Sequence, residues 1–126
     1  MFRGSVVRVG QAATEGGVGG WVYNFAVPTN HAMGITHGSD VPFVFNELTE
    51  GGLLVHDADD ERNVAVANLW SSALARFART GDPNGGGLPS WPCYDAVSRS
   101  CLVIDHDPHV EDDPDGPEWR DAFGMS

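Results

Sequence analysis

Basic side chains are scarce in this chain of 126 residues. Lysine and arginine together number 7 against 18 acidic residues, which gives a formal net charge of −11 at pH 7. A surface with this charge repels the phosphate groups of nucleic acids and of anionic lipids. We therefore expect neither nucleic acids nor membrane surfaces as partners.

Long apolar runs are also missing. No window reaches the roughly 20 apolar residues that a membrane-spanning helix needs, and residues 1–7 contain no apolar stretch suited to the core of a secretory signal. The sequence predicts no membrane anchor, and the cytoplasm is the default compartment. A longer parent protein would carry any signal upstream of residue 1.

Cysteine is limited to Cys93 and Cys101. The two lie eight positions apart without a Cys-x-x-Cys pair, so neither zinc binding nor thioredoxin-like chemistry is predicted. Two thiols are also too few for a disulfide scaffold. A buried thiol and a local disulfide both stay open.

The rest of the composition is that of a folded domain. Hydrophobic residues make up 41% of the chain and charged residues 20%, both typical of globular proteins. A chain of this length buries roughly two thirds of its unfolded surface when it folds. The sequence therefore predicts a packed core.

Two helices stand out in the hydrophobic pattern. The clearer one spans about 60–79, because acidic residues crowd its start and Gly81 followed by Pro83 ends it. A shorter helix over 5–14 runs into the glycine-rich residues 16–20. The buried stripe predicted on the longer helix consists of Val66, Trp70, Ala73, Leu74 and Phe77.

Two strands are predicted, over 21–27 and 101–104, together with a terminal helix from 117 to 123. The first strand crowds aromatic and β-branched residues, as expected where both faces are covered. An isolated pair of strands is marginal in water, and its open edges invite further pairing. The pattern therefore indicates part of a larger sheet, whose exposed edges would permit self-association.

His37 is the candidate for chemistry. It is followed by Gly38 and Asp40 and then by the apolar residues 41–45, which would clamp the loop onto a core. A lone loop histidine is more often structural than catalytic, so the local pattern favours a structural role. A local triad with Ser39 and Asp40 is not expected, since residues so close along a loop rarely converge on one imidazole.

The acidic run at 105–113 contains two histidines and several carboxylates, which are groups that bind divalent ions. Pro108 interrupts any regular face, and carboxylate runs are usually solvated. We therefore favour a solvated tail over a metal site, and the sequence predicts neither a metal nor another cofactor.

Five segments carry a resemblance to a known family. Together they resemble, in order and spacing, the C-terminal end of type B carboxylesterases, the family that includes cholinesterases and bacterial para-nitrobenzyl esterases. The resemblance extends over nearly the whole chain. The segments are 21–25, 33–45, 69–84, 91–95 and 102–105.

The resemblance implies an α/β fold, with residues 1–126 as a C-terminal fragment of an α/β-hydrolase domain that contributes late sheet strands and packing helices. It also implies that His37 matches the triad histidine, which takes the proton of the serine nucleophile and returns it to the leaving alcohol. Asp40 matches the acidic position after His-Gly and is assigned to holding the loop.

The nucleophile of this fold is missing from the chain. No Gly-x-Ser-x-Gly elbow is present, and the only carboxylate upstream of His37 is Glu15. The expected function is that of a serine carboxylesterase acting through an acyl-enzyme on a small-molecule carboxylic ester, once upstream sequence completes the site. By itself the chain is expected to be inactive, and its substrate-binding residues stay unassigned.

Two alternatives stay open at this point. The chain could be a non-catalytic interaction module derived from the cholinesterase-like fold, because a fold does not determine a function. It could also be an independently folded small domain that covers its sheet edges with a second copy.

Overall fold

The computed structural model describes residues 2–29, 34–48, 56–114, 116–122 and 124. Within these ranges three strands form one sheet in the order β1-β2-β3, accompanied by helices. The α/β class predicted from the sequence is confirmed. The elements are α1 (Phe2–Glu15), β1 (Tyr23–Phe25), α2 (Val41–Val44), α3 (Glu61–Thr80), β2 (Ser100–Ile104), β3 (His109–Asp112) and α4 (Gly116–Ala122).

The long helix α3 begins and ends as its local sequence predicts. At its start the Asp60 carboxylate accepts a hydrogen bond from the backbone N–H of Arg62 at 2.9 Å. At its end Gly81 adopts a left-handed φ of 78° and donates its N–H to the Phe77 carbonyl at 2.7 Å. Both ends are therefore capped by residues that the sequence identifies.

The predicted apolar stripe of α3 is buried along most of its length. Val66, Trp70 and Ala73 are buried, and Leu74 is half-buried. Phe77, near the C-terminal end, remains 45% exposed. The helical period of the stripe was thus predicted correctly, but the burial predicted for Phe77 was wrong.

The first strand is shorter than predicted. Of residues 21–27 only Tyr23–Phe25 form β1, and the side chain of Asn24 is exposed. Val22 and Val27 on either side are buried. The predicted cover on both faces is therefore not present in this chain, because one position of the strand faces solvent.

The third strand corrects the prediction of a solvated tail. β3 lies inside the acidic run, where His109 and Val110 are half-buried and the last two residues are exposed. β2, its neighbour in the sheet, is buried at every position. Charged side chains are common on strands at a sheet edge, and backbone pairing with a buried strand does not require apolar residues. Composition alone therefore missed β3.

The contacts of the chain group into two compact units. The first comprises Met1–Asn24, Trp91–Leu102 and Val110–Ser126, and its core cluster contains Val7, Val22, Tyr94 and Cys101. Neither Cys93 nor Cys101 is in a disulfide, so the local disulfide is not formed.

The second unit comprises Phe25–Ser90 and Val103–His109. Here the short helix α2 packs against α3, and the Asn46 amide donates a hydrogen bond to the Asn68 side chain at 2.9 Å. This unit contains His37 and the residues around it. Among the described helices of the whole chain, none is long and apolar enough to cross a membrane.

Candidate functional site

His37 occupies the second position of a tight turn, residues 36–39, called the histidine turn below. The Ser39 N–H donates a hydrogen bond to the Thr36 carbonyl at 3.1 Å, and Gly38 at the third position has a φ of 84°. A positive φ there is characteristic of type II turns and favours glycine. His37 is exposed, so the turn presents its imidazole at the surface.

Ser39 is the buried corner of the histidine turn. Its side chain is 4% exposed, and its hydroxyl accepts a hydrogen bond from the Thr36 N–H at 2.9 Å. The same hydroxyl lies 3.3 Å from the Thr36 hydroxyl. The Ser39 side chain therefore closes the turn that carries His37.

Directly after the turn, residues 41–44 form the short helix α2, where the sequence had indicated only an apolar loop segment. Asp40 is the N-cap, and its carbonyl accepts hydrogen bonds from the N–H groups of Phe43 at 3.0 Å and Val44 at 2.9 Å. Its side chain makes no capping hydrogen bond. Pro42 lies in the first turn of the helix, where proline removes no helical hydrogen bond. For that reason proline did not prevent the helix.

Phe43 anchors this segment. It is fully buried, whereas Val41 is 46% and Phe45 is 74% exposed. The predicted clamp of residues 41–45 on a core is therefore made through Phe43, with the residues on both sides facing outward.

His56 lies against the histidine turn and was not identified from the sequence. It is 3% exposed, and its Nε2 lies 3.0 Å from the Ser39 carbonyl oxygen. Because a carbonyl only accepts hydrogen bonds, Nε2 carries the proton in this contact. The one signal in the sequence is the apolar run 53–55 before it, which indicates burial without indicating a partner.

Two phenylalanine rings enclose the His56 imidazole. The Phe43 ring centroid lies 4.6 Å from it and the Phe25 centroid 5.9 Å, both at an interplanar angle of 88°. The two phenyl rings lie 5.0 Å apart. These edge-to-face contacts replace water around the imidazole and so disfavour its protonated form.

Burial lowers the pKa of His56 below its ordinary value of 6.5. The carbonyls of Ser39 and Pro28 oppose this change, and the charge of His106 adds to it. Nδ1 has no hydrogen-bond partner among the described residues. The effect of the Pro28 carbonyl on the pKa therefore does not come from an ordinary hydrogen bond to Nδ1. His56 is therefore neutral at pH 7, with its single proton on Nε2.

This lowered pKa predicts that the contribution of His56 to the stability of the folded chain decreases as the pH falls from 7.5 to 5.5. Below about pH 6.5 the unfolded chain takes up a proton at His56, while the folded chain does not until the pH reaches its lower pKa. Urea unfolding at both pH values measures the loss. His56→Gln retains an N–H donor but does not titrate, so it should lose less; an equal loss in both proteins would contradict the prediction.

Gly38→Ala is expected to reduce the free energy of unfolding by about 1–2 kcal/mol, because a left-handed φ is unfavourable for a residue with a Cβ. Gly38→Asn is the matched control, since asparagine tolerates this conformation better. Urea unfolding of the three proteins compares them. An alanine variant as stable as the wild type would show that the turn readily adopts another conformation.

The histidines after β2 contact other protein groups. His106 Nε2 lies 2.8 Å from the Asn63 side-chain oxygen, and His109 Nδ1 lies 2.9 Å from the Asp107 carbonyl. His109 Nδ1 is also 3.9 Å from the Asp105 carboxylate. In the described part of the chain, no group of three or more histidine, cysteine or acidic side chains is arranged to hold a metal ion.

Comparison with known proteins places these features in a family. Residues 1–119 match the model of the carboxylesterase family. The chain belongs to the carboxylesterase family. The resemblance to type B carboxylesterases predicted from the sequence is thereby confirmed.

Individual carboxylesterase relatives extend well beyond the matched region. The chain is 31% identical to phenmedipham hydrolase of Pseudarthrobacter oxydans over 108 residues, covering 82% of this chain and 22% of the relative. It is 36% identical to cocaine esterase of Homo sapiens over 75 residues, covering 60% of this chain and 12% of the relative. The chain thus spans less than a quarter of either protein.

Solved structures of carboxylesterases share the fold of this chain. Carboxylesterase EST55 of Geobacillus stearothermophilus superposes with a TM-score of 0.78 and 35% identity, covering 93% of this chain and 24% of that enzyme. The fold is therefore a fragment of the α/β-hydrolase fold, as predicted. The role of His37 as the triad histidine stays a prediction.

Proposed function

We propose that residues 1–126 are the C-terminal part of a serine carboxylesterase domain and supply its catalytic histidine, His37. The observation that supports this most is the position of His37. It is an exposed imidazole on a turn that is closed by the buried Ser39 and followed by the anchored Phe43, in a chain of the carboxylesterase family.

The reaction proposed is a two-step acyl transfer. The His37 imidazole takes the proton of a serine hydroxyl while the serine oxygen attacks the ester carbonyl, and it returns this proton to the leaving alcohol. The resulting acyl-serine is then hydrolysed by water that the same imidazole deprotonates. An imidazole serves both directions because it gains and loses a proton near neutral pH.

The serine and the acid proposed to act with His37 come from outside this chain. No Gly-x-Ser-x-Gly elbow is present, and Glu15, the only upstream carboxylate, accepts a hydrogen bond from Gln11 within α1. We therefore assign the nucleophile, the triad acid and the oxyanion donors to sequence upstream. Asp40 is assigned to holding the loop, since its carbonyl begins α2.

The substrate proposed is a small-molecule carboxylic ester. The relatives that are named cocaine esterase and para-nitrobenzyl esterase support this class. Acyl transfer from an alcohol oxygen to serine and then to water involves no change of oxidation state, so the proposal includes no cofactor.

Joining this chain to the upstream part of a relative tests the proposal. In the chimera, residues 1–126 replace the aligned region of the Geobacillus stearothermophilus carboxylesterase, and para-nitrophenyl acetate is the substrate. We expect the chimera to release para-nitrophenol catalytically and the isolated chain to do so only at the uncatalysed rate. Both proteins are first checked for cooperative unfolding.

The remaining outcomes also discriminate. Turnover by the isolated chain that disappears in His37→Ala would refute the need for upstream residues. A chimera that folds cooperatively but is inactive would favour the interaction module.

A further inference from the structure

We infer that His56 is a positioning residue for the proposed catalytic histidine: its Nε2–H holds the Ser39 carbonyl and thereby orients the turn that presents His37. This inference rests on the proposed function of His37. It adds a second histidine, which touches neither substrate nor reacting atoms, to the residues on which the reaction depends.

The first support is the way in which Ser39 is held. Its N–H and its hydroxyl both pair with Thr36, three residues away, and these two bonds fix only the internal shape of the turn. The contact with His56 joins the Ser39 carbonyl to a residue 17 positions away. It therefore ties the turn to the body of the unit and limits its rotation.

The second support is that His56 is itself held in place. Its ring is buried between Phe25 and Phe43, and Phe43 lies on the helix that directly follows the turn. The turn and α2 are thus both fixed against one imidazole, by a hydrogen bond and by a ring contact. Displacing this ring would move the chain on both sides of Asp40.

The third support is that a histidine is an unfavourable residue for filling space here. A buried polar atom without a partner is costly, and Nδ1 of His56 has none among the described residues. A phenyl or leucine side chain would fill the space between the rings without this cost. The imidazole provides a hydrogen-bond donor for the Ser39 carbonyl, which an apolar side chain lacks.

Among the described residues, the Ser39 carbonyl lies within hydrogen-bond distance of the Nε2 donor of His56. Within the described ranges the charge of His106 acts on His56, and the His106 ring is paired with Asn63 on α3. The side chains of Phe25 and Phe43 are uncharged. His106 therefore provides a matched control, as a second histidine of the same unit that is hydrogen-bonded away from the turn.

The test compares His56→Leu, which removes the donor, with His56→Gln, which retains one, in the active chimera. We expect His56→Leu to lower kcat about 10- to 100-fold with little change in KM, because a small misplacement of a catalytic group costs up to about 100-fold. We expect His56→Gln to restore kcat to within a few-fold, and His106→Gln to leave it unchanged. A purely structural role would not produce this rescue.

Failure of this inference is distinguishable from failure of the proposed function. If His37→Ala retains activity, the proposed function is wrong and the inference falls with it. If His37→Ala is inactive while a folded His56→Leu retains the wild-type kcat, only the positioning role is wrong.

Nuclear magnetic resonance of the 126-residue chain provides a measurement independent of turnover. We expect His56→Leu to shift the ring and amide signals of His37 and to accelerate amide exchange at Ser39. His56→Phe serves as a second non-donor variant. Unchanged His37 signals in a folded variant, or global unfolding of both variants, would overturn the positioning role.

Discussion

His37→Ala in the chimera is expected to lower kcat for para-nitrophenyl acetate by about 10⁴- to 10⁶-fold. If His37 acts as the proposed general base, its removal leaves the serine hydroxyl protonated and the leaving alcohol without a proton donor. KM should change little, because the imidazole moves protons in the transition state rather than holding the ester. Initial rates over a range of substrate concentrations separate the two parameters.

The loss of activity should occur without a loss of stability. His37 is exposed, and substitutions at exposed positions usually change the free energy of unfolding by less than about 0.5 kcal/mol. His109→Ala is the matched control, since His109 is also accessible but is paired with the Asp107 carbonyl. A His37→Ala chimera that retains more than about a tenth of the wild-type kcat would refute the assignment.

The largest expected effect on stability follows the substitution Phe43→Ala. The ring is fully buried between Phe25 and His56, and removing a buried phenylalanine costs about 3–5 kcal/mol. Domains of this size are stable by only about 5–15 kcal/mol. Urea unfolding of the 126-residue chain, followed by circular dichroism, should therefore show a greatly reduced midpoint.

Phe45→Ala is the control for this substitution. It removes the same side chain two positions further along, where the ring is 74% exposed, and the expected change is within about 0.5 kcal/mol. Equal losses in the two variants would show that Phe43 is not the anchor of the segment. If Phe45 instead proves important only in the chimera, upstream sequence covers it there.

Local signals explain why the ends of α3 could be predicted. Its N-cap carboxylate and its left-handed C-terminal glycine satisfy backbone groups within a few residues, and such interactions depend on short stretches of sequence. The buried strand β2 was predicted for a similar reason, since its continuous apolar run is visible without knowledge of its neighbours.

Elements whose partners are distant were missed. β3 lies in a charged run and forms a strand because the neighbouring β2 supplies backbone partners. The helix α2 is only four residues long and contains Pro42, so its own sequence indicates it weakly. In both cases the tertiary environment outweighs the local propensity.

The sequence by itself determined the family and the candidate histidine, because the ordered motifs around His37 are contiguous stretches that can be compared directly. Only the tertiary structure decided what supports that histidine. The contact between His56 and Ser39 forms across 17 positions of chain, inside a pocket of two phenylalanine rings. A lone histidine has no periodicity that reveals its burial or its partner, since both depend on the path of the backbone around it.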